Sequence, residues 1–251
     1  MISIKNEHEL EAMRQACKIT AAARALAGEM VRPGVTTKAI DKAVHDFIVA
    51  QGAKPSFLHY SGYPASACIS VNDVVIHGIP DGYKLKEGDI VSVDVGACWK
   101  GFHGDCAATF ACGRISPTAQ KLIDVTKESF FEGLKFARQG YRISDISHAV
   151  QSHVEKNGFS VVRAFVGHGV GENLHEEPEV PNFGSPGRGP RLVKGMTLAI
   201  EPMVNVGGWE VRVLKDRWTT VTVDGSLAAH YENTVLITDG EPEILTVAEG
   251  L

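Results

Sequence analysis

The sequence predicts an α+β domain of two pseudo-symmetric halves, with helices covering one face of a curved antiparallel sheet. Three observations predict it. A stretch of sequence recurs at long range, each copy follows a longer helical segment, and after each helix pair the apolar spacing changes to a period of two.

The first helical segment runs from Glu7 to Met30, with Leu10, Met13 and Cys17 on one face and Ile19, Ala22, Leu26 and Met30 continuing it. The second begins at Ser116-Pro117, a capping residue followed by proline at the first helical position, and is expected to reach about Arg138. Arg32–Gly52 and Arg138–Gly158 then align at an offset of 106 residues, with six of 21 positions identical. Gly34 meets Gly140, Ile40 meets Ile146, Ala43 meets Ala149, Val44 meets Val150 and Gly52 meets Gly158. Each copy reads as a glycine, a Thr or Ser cap, an amphipathic helix and a closing glycine. Strands are expected at Ala67–Val71, Ile90–Gly96 and Cys106–Phe110. In the second half they are expected at Val161–Val166, Thr197–Met203, Trp218–Val223 and Tyr231–Thr238. Pro181–Gly195, rich in Pro, Gly and Arg, reads as a loop. The expected organisation is one domain over 1–251, with halves of about 1–112 and 113–251.

Bulk properties narrow the function classes. The chain has 251 residues, 44% hydrophobic and 22% charged, with a formal net charge of -5. Mixed charge of that sign argues against direct nucleic-acid binding. The five cysteines contain no CxxC pair, which suits a reduced, cytoplasmic protein better than a disulfide framework. The first eight residues are polar and charged, unlike a secretory signal, and no apolar run is long enough for a membrane span.

The informative residues are acids placed within apolar strands. In Ile90–Gly96, Val91, Val93 and Val95 share one face, so Asp94 points to the other. Asp105 is expected to open the next strand, beyond a glycine-bearing loop that brings it near Asp94. Glu201 follows Leu198 and Ile200, 107 residues after Asp94, close to the repeat offset. Glu232 lies inside the expected strand at Tyr231–Thr238. Four acids gathered in apolar surroundings would repel one another and resist ionisation. Basic partners are one remedy, but no inward-facing Lys or Arg stands at matching strand positions. Divalent cations are the other, with His168 in Gly167-His168-Gly169-Val170-Gly171 as a nitrogen donor.

Asp94, Asp105, His168, Glu201 and Glu232, in that order, resemble the five metal ligands of the methionine aminopeptidases, a family of pita-bread fold metallopeptidases. The surrounding text is similar too: Ser70-Val71-Asn72 with His77-Gly78-Ile79-Pro80, then Gly104-Asp105, His175-Glu176-Glu177-Pro178 and Ile200-Glu201-Pro202. The length resembles that of the short, type I form. The resemblance implies two divalent ions per chain (Co, Mn, Fe or Zn). Asp105 and Glu232 would bridge them, Asp94 would bind one ion, and His168 and Glu201 would complete the other. It further implies removal of N-terminal methionine from nascent chains with a small second residue, through a metal-bridged hydroxide. Glu201 would serve as general base, with His77 and His175 touching the substrate. The methionine pocket would be lined by Tyr60, Tyr63, Cys68, His77, His175 and Trp218. Leu174 stands where an aromatic residue is expected, and Phe57 where a smaller one is common. The implied enzyme is a monomer with at most transient ribosome contact. For that contact the basic loop Arg188-Gly189-Pro190-Arg191 is a weak candidate, better read as a solvated loop. His45, His59, His148, His153 and His230 read as ordinary histidines.

Overall fold

Helix ends in this chain are set by polar side chains that satisfy the first free N–H groups. In the computed structural model, which describes residues 1–248, α1 spans Glu7–Met30, as expected. The Asn6 side chain accepts from the backbones of His8 and Glu9, while Glu9 accepts from the Asn6 N–H. Thr36 caps α2 (Thr37–Ala50) through the Ala39 N–H, and Ser116 caps α3 (Pro117–Leu134) through that of Ala119. The helix α3 stops at Leu134, one turn before the expected Arg138. The expected Thr or Ser cap is also absent from the second repeat. Before α4 (Ile143–Lys156) the Asp145 carboxylate accepts from the Arg142 N–H, and the Ser144 hydroxyl instead accepts from the Arg188 backbone. That bond ties part of the Pro181–Gly195 loop onto α4.

Among the described residues, all strand pairs are antiparallel. Strands Ile90–Trp99 and Phe102–Ala111 form one hairpin paired from Ile90↔Ala111 to Trp99↔Phe102. Its two turn residues, Lys100 (φ 49) and Gly101 (φ 86), both occupy the left-handed region that a tight two-residue hairpin turn requires. Asp105 therefore lies inside its strand opposite Gly96, rather than opening the strand as expected. Ala67–Val71 pairs on the other side of Ile90–Trp99, with Cys68 opposite Asp94.

In the second half the expected long strands are broken. Val161–Val166 shortens to Ser160–Val161, and Trp218–Val223 to Thr220–Thr222. The expected strand Thr197–Met203 becomes Thr197–Ile200 and Met203–Asn205, which lie in different sheets. Its neighbour divides in the same way, into Ala228–His230 and Asn233–Leu236. The partners stay in step across the break, since Ile200 pairs with Asn233 and Met203 with His230. Glu201 and Glu232 thus sit at the crossover between sheets, not within strands. Pro202 has no N–H for a ladder, and its carbonyl takes the Tyr231 N–H.

Two apolar clusters organise the molecule. One joins α1 and α2 to the valine face of Ile90–Trp99, including Ile19, Ile40, Val44, Val91, Val93 and Val95. The other joins α3 and α4 to the second-half strands through Leu122, Phe130, Ile146, Val150, Leu198 and Val235. Helix α1 comes so close to the hairpin that a Cβ at Gly104 would stand 2.7 Å from Cys17 Cα. The Thr20 hydroxyl accepts from the Ala97 N–H at the same contact. The residue before Asp105 must therefore be glycine for the helix to pack there. Among the described residues, no helix is long and apolar enough to cross a membrane.

Candidate metal centre and substrate pocket

The alternation that buries Val91, Val93 and Val95 aims Asp94 at the opposite face, where the ladder makes Asp105 its diagonal neighbour. The crossover that carries Glu232 docks on the same hairpin: Glu232 and Ala107 exchange N–H···O bonds of 2.9 and 3.2 Å. Glu201 arrives on the paired crossover, its carbonyl accepting from Asn182 at 2.9 Å. His168 sits on the short strand Gly167–Gly169, between Glu176–Val180 and Thr197–Ile200. Its flanking glycines are needed for close sheet contact, because a Cβ at Gly167 would lie 2.3 Å from the Ala199 carbonyl oxygen and one at Gly169 2.3 Å from that of Glu177. Gly169→Ala is expected to destabilise the fold by about 1–3 kcal/mol through overpacking, read as a lower urea midpoint at unchanged m.

These side chains converge on the floor of one cleft of about 570 Å³, its open mouth included. Asp94, Asp105, His168, Glu201 and Glu232 all line it, as do Tyr60, Tyr63, Cys68, His77, His175 and Trp218, with Phe57 and Leu174. Every candidate site residue from the sequence is thus brought to the same cavity. The His168 Nδ1–H donates to the Gly169 carbonyl oxygen at 2.8 Å, which leaves Nε2 free as a lone-pair donor. That Nε2 lies 3.4 Å from Glu201 Oε1 and 3.9 Å from Asp105 Oδ2.

The charges at the floor lack ordinary partners. Asp94 Oδ1, Asp105 Oδ1 and Glu232 Oε1 are buried without a hydrogen bond. The guanidinium of Arg24 comes near but donates to the carbonyls of Ala107 and Glu232 and to Asn233 Oδ1, not to the carboxylates. Burial pushes the Asp94 carboxyl up to about 7. Burial, then the neighbouring carboxylates, raises Asp105, Glu201 and Glu232 well above their usual range. Burial also holds His168 neutral, at about 3. Hard oxygen donors with orphaned lone pairs and one neutral imidazole are the donor chemistry of divalent metal ions. The ligand atoms of Asp105, His168 and Glu232 lie within 4.8 Å of one another, as do those of Asp94, His230 and Glu232. His230 was read from the sequence as ordinary. Its position two residues before Glu232 was the available signal, since that spacing shares a face in an extended chain.

The pocket wall beside this floor is aromatic. Tyr63 and Trp218 meet edge to face at 5.1 Å between ring centroids, and His77 meets Trp218 at 6.0 Å. The Tyr63 hydroxyl donates to the Gly78 carbonyl oxygen at 2.9 Å and is fully committed to the scaffold. His77 adopts φ 58, a left-handed conformation, next to Gly78, where a Cβ would strike the Ile69 carbonyl oxygen at 2.3 Å. His175 shares a 2.8 Å hydrogen bond with the Tyr60 hydroxyl, and its ring lies tilted by 47° with its centroid 4.2 Å from that of His168. A buried ion pair of 2.7 Å between Lys5 and Glu176 anchors the segment that carries His175. The Phe165 ring, which the sequence reading missed, backs His77 at 5.6 Å.

A buried carboxylate cage with imidazole nitrogens beside it, at the floor of a cleft with an aromatic wall, fits the class of metal-dependent hydrolases. The sequence pattern of metallopeptidase family M24 matches residues 11–239, and the chain belongs to that family. It is 58% identical over 247 residues to a methionine aminopeptidase of Clostridium perfringens, covering 98% of this chain and 99% of that one. The crystal structure of a methionine aminopeptidase from Thermotoga maritima superposes with a TM-score of 0.96 at 47% identity, covering 98% and 99% of the two chains. A prolidase from Pyrococcus furiosus shares the fold at a TM-score of 0.80 and 22% identity, with 98% of this chain and 66% of that one covered. The architecture is the pita-bread fold, and the chain is a metallo-hydrolase of the methionine aminopeptidase type.

Proposed function

We propose that this chain removes the N-terminal methionine from new polypeptides whose second residue is small. The observation that carries the reading is the convergence of four acids and His168 on the floor of an aromatic-walled cleft. Asp94, Asp105, His168, Glu201 and Glu232 would hold two divalent ions, of Co, Mn, Fe or Zn. Ions bound there would lower the pKa of water and polarise the scissile carbonyl. The methionine side chain lies against Tyr63, Cys68 and Trp218, with Tyr60 at the rim. Glu201 takes a proton from the attacking water on a carboxylate oxygen and returns it to the departing amine. The His175 imidazole, held by Tyr60, donates a hydrogen bond to the developing oxyanion, and His77 orients the scissile amide. An ion bound there would also hold the free α-amine of the substrate, a ligand that an acetylated terminus does not offer.

The domain reading is a single unit over 1–251 with halves of about 1–112 and 113–251, supported by the two separate apolar clusters. Residues 249–251 of the second half lie outside the described residues. The cysteines are free, which supports a cytoplasmic, reduced setting for a monomeric enzyme.

The test uses Met-Ala-Ser and its N-acetylated form. The chelated protein is expected to be inert, and added Mn or Co to restore cleavage of the free peptide alone. Cleavage that survives chelation, or equal turnover of the acetylated peptide, overturns the reading. Replacing His175 by Ala is expected to lower kcat by about 10²–10³-fold with a smaller change in KM, as loss of an oxyanion donor does. Steady-state kinetics at saturating metal would measure it.

A further inference from the structure

We infer that His230 supplies a second imidazole to this centre, as a nitrogen donor on its Asp94 side. The inference rests on the reading of the acidic floor as a divalent-ion site and adds a residue to it.

The backbone fixes where this side chain points. His230 ends the strand Ala228–His230 opposite Met203. Its N–H donates to the Thr109 hydroxyl at 3.0 Å, and that hydroxyl donates to the His230 carbonyl oxygen at 2.9 Å. Thr109 belongs to the same hairpin strand as Asp105, so the imidazole is registered to the acidic face by the sheet itself. The residue is 2% exposed.

Its Nε2 is buried and has no hydrogen-bond partner. Buried polar atoms in native proteins are nearly always satisfied, so this orphan requires a partner. Carboxylate oxygens of Glu201 and Glu232 both lie 3.7 Å away. That is too far for a hydrogen bond to either one. A shared cation resolves the spacing. With bonds of about 2.0–2.2 Å, two ligands of one ion lie at most about 4.4 Å apart. His230, Asp94 and Glu232 offer ligand atoms within 4.8 Å of one another, a gap that a small side-chain shift closes. Asp105, His168 and Glu232 form the companion group, so Glu232 belongs to both and each has one imidazole. A second nitrogen donor favours Co, Fe or Zn over Mn at the Asp94 side, because imidazole suits those ions better than an all-oxygen set does.

The experiment strips the protein of metal and titrates it with Co(II), followed by calorimetry and visible absorption, for the natural chain, His230→Gln and His230→Asn. Cobalt-edge X-ray absorption of the natural protein with two equivalents bound counts imidazoles without any substitution. The expected result is two imidazoles per two ions. In both variants one binding step should weaken by at least about 10-fold, with a changed absorption band for that step alone. One imidazole per two ions, or folded variants with unchanged affinities and spectra, would overturn the assignment. A variant altered only in its preference for the second residue of the peptide would overturn it too, and would make His230 part of the pocket wall. If the natural protein itself takes up no Co(II), the hydrolase reading falls along with this one. If it binds two ions and cleaves Met-Ala-Ser, failure of the His230 effects removes this inference alone.

Discussion

Glu201→Gln is expected to lower kcat on Met-Ala-Ser by about 10²–10⁴-fold, the usual contribution of a general acid–base group. The amide keeps the shape of the side chain and the crossover that presents it, since the backbone there is held by Asn182 and by the Met203–His230 pairing. What it removes is an oxygen that can accept a proton. KM should change little, because the proposed methionine pocket is walled by Tyr63 and Trp218, which the substitution leaves unaltered. The assay is run at saturating Mn, with bound metal quantified, so that loss of proton transfer is separated from loss of the ion. A variant that binds metal and keeps more than a tenth of kcat would remove Glu201 from the proton-transfer role.

The second large effect concerns stability. In the metal-free chain, Asp94 sits at about 7 and Asp105, Glu201 and Glu232 are raised well above the usual range, whereas unfolded carboxylates titrate near 4. A raised carboxylate binds its proton more tightly when folded, so the stability it contributes is present at low pH and lost as pH rises toward the folded value. His77, at about 4, and His168 and His230, at about 3, act the other way: their burial destabilises the fold as pH drops below about 6.5. Above that pH the unfolded histidines lose their remaining protons within about one unit, while the raised carboxylates still hold theirs in the folded state. The metal-free protein is therefore expected to lose thermal stability from pH 6.5 to 8. Saturating divalent metal should flatten that loss, because bound cations hold the acids ionised. At 100 times Kd each ion adds about 2.7 kcal/mol, or roughly 5–10 °C in Tm. A metal-free melting temperature that rises over this window would contradict the buried, mutually repelling cage.

The legible parts of the molecule were those written in local chemistry. The Ser116-Pro117 start marks a helix end wherever the chain goes. The valine alternation around Asp94 forced its side chain to the face opposite the core, and the ladder keeps it there. The ligand order and its neighbouring motifs pointed to the residues that the cleft then gathers. The strand breaks were not legible. Thr197–Met203 and Tyr231–Thr238 read as continuous because alternation carries no information about which sheet a segment joins. The tight Lys100-Gly101 turn was hidden because Phe102, His103 and Gly104 carry no clear strand pattern. They pair because Gly104 admits α1 against the hairpin, a contact between distant segments.

By itself the sequence determined the α+β class, the Ser116-Pro117 helix start and the acid and imidazole side chains offered at Asp94, Asp105, His168, Glu201 and Glu232, since these follow from side-chain chemistry, local pattern and motif order. Only the tertiary structure decided that Glu201 and Glu232 meet at a crossover between sheets and that His230 turns its unsatisfied nitrogen toward them. Such placements depend on pairings between segments far apart in the chain, and the short-range pattern around each residue is the same whether the pairing forms or not.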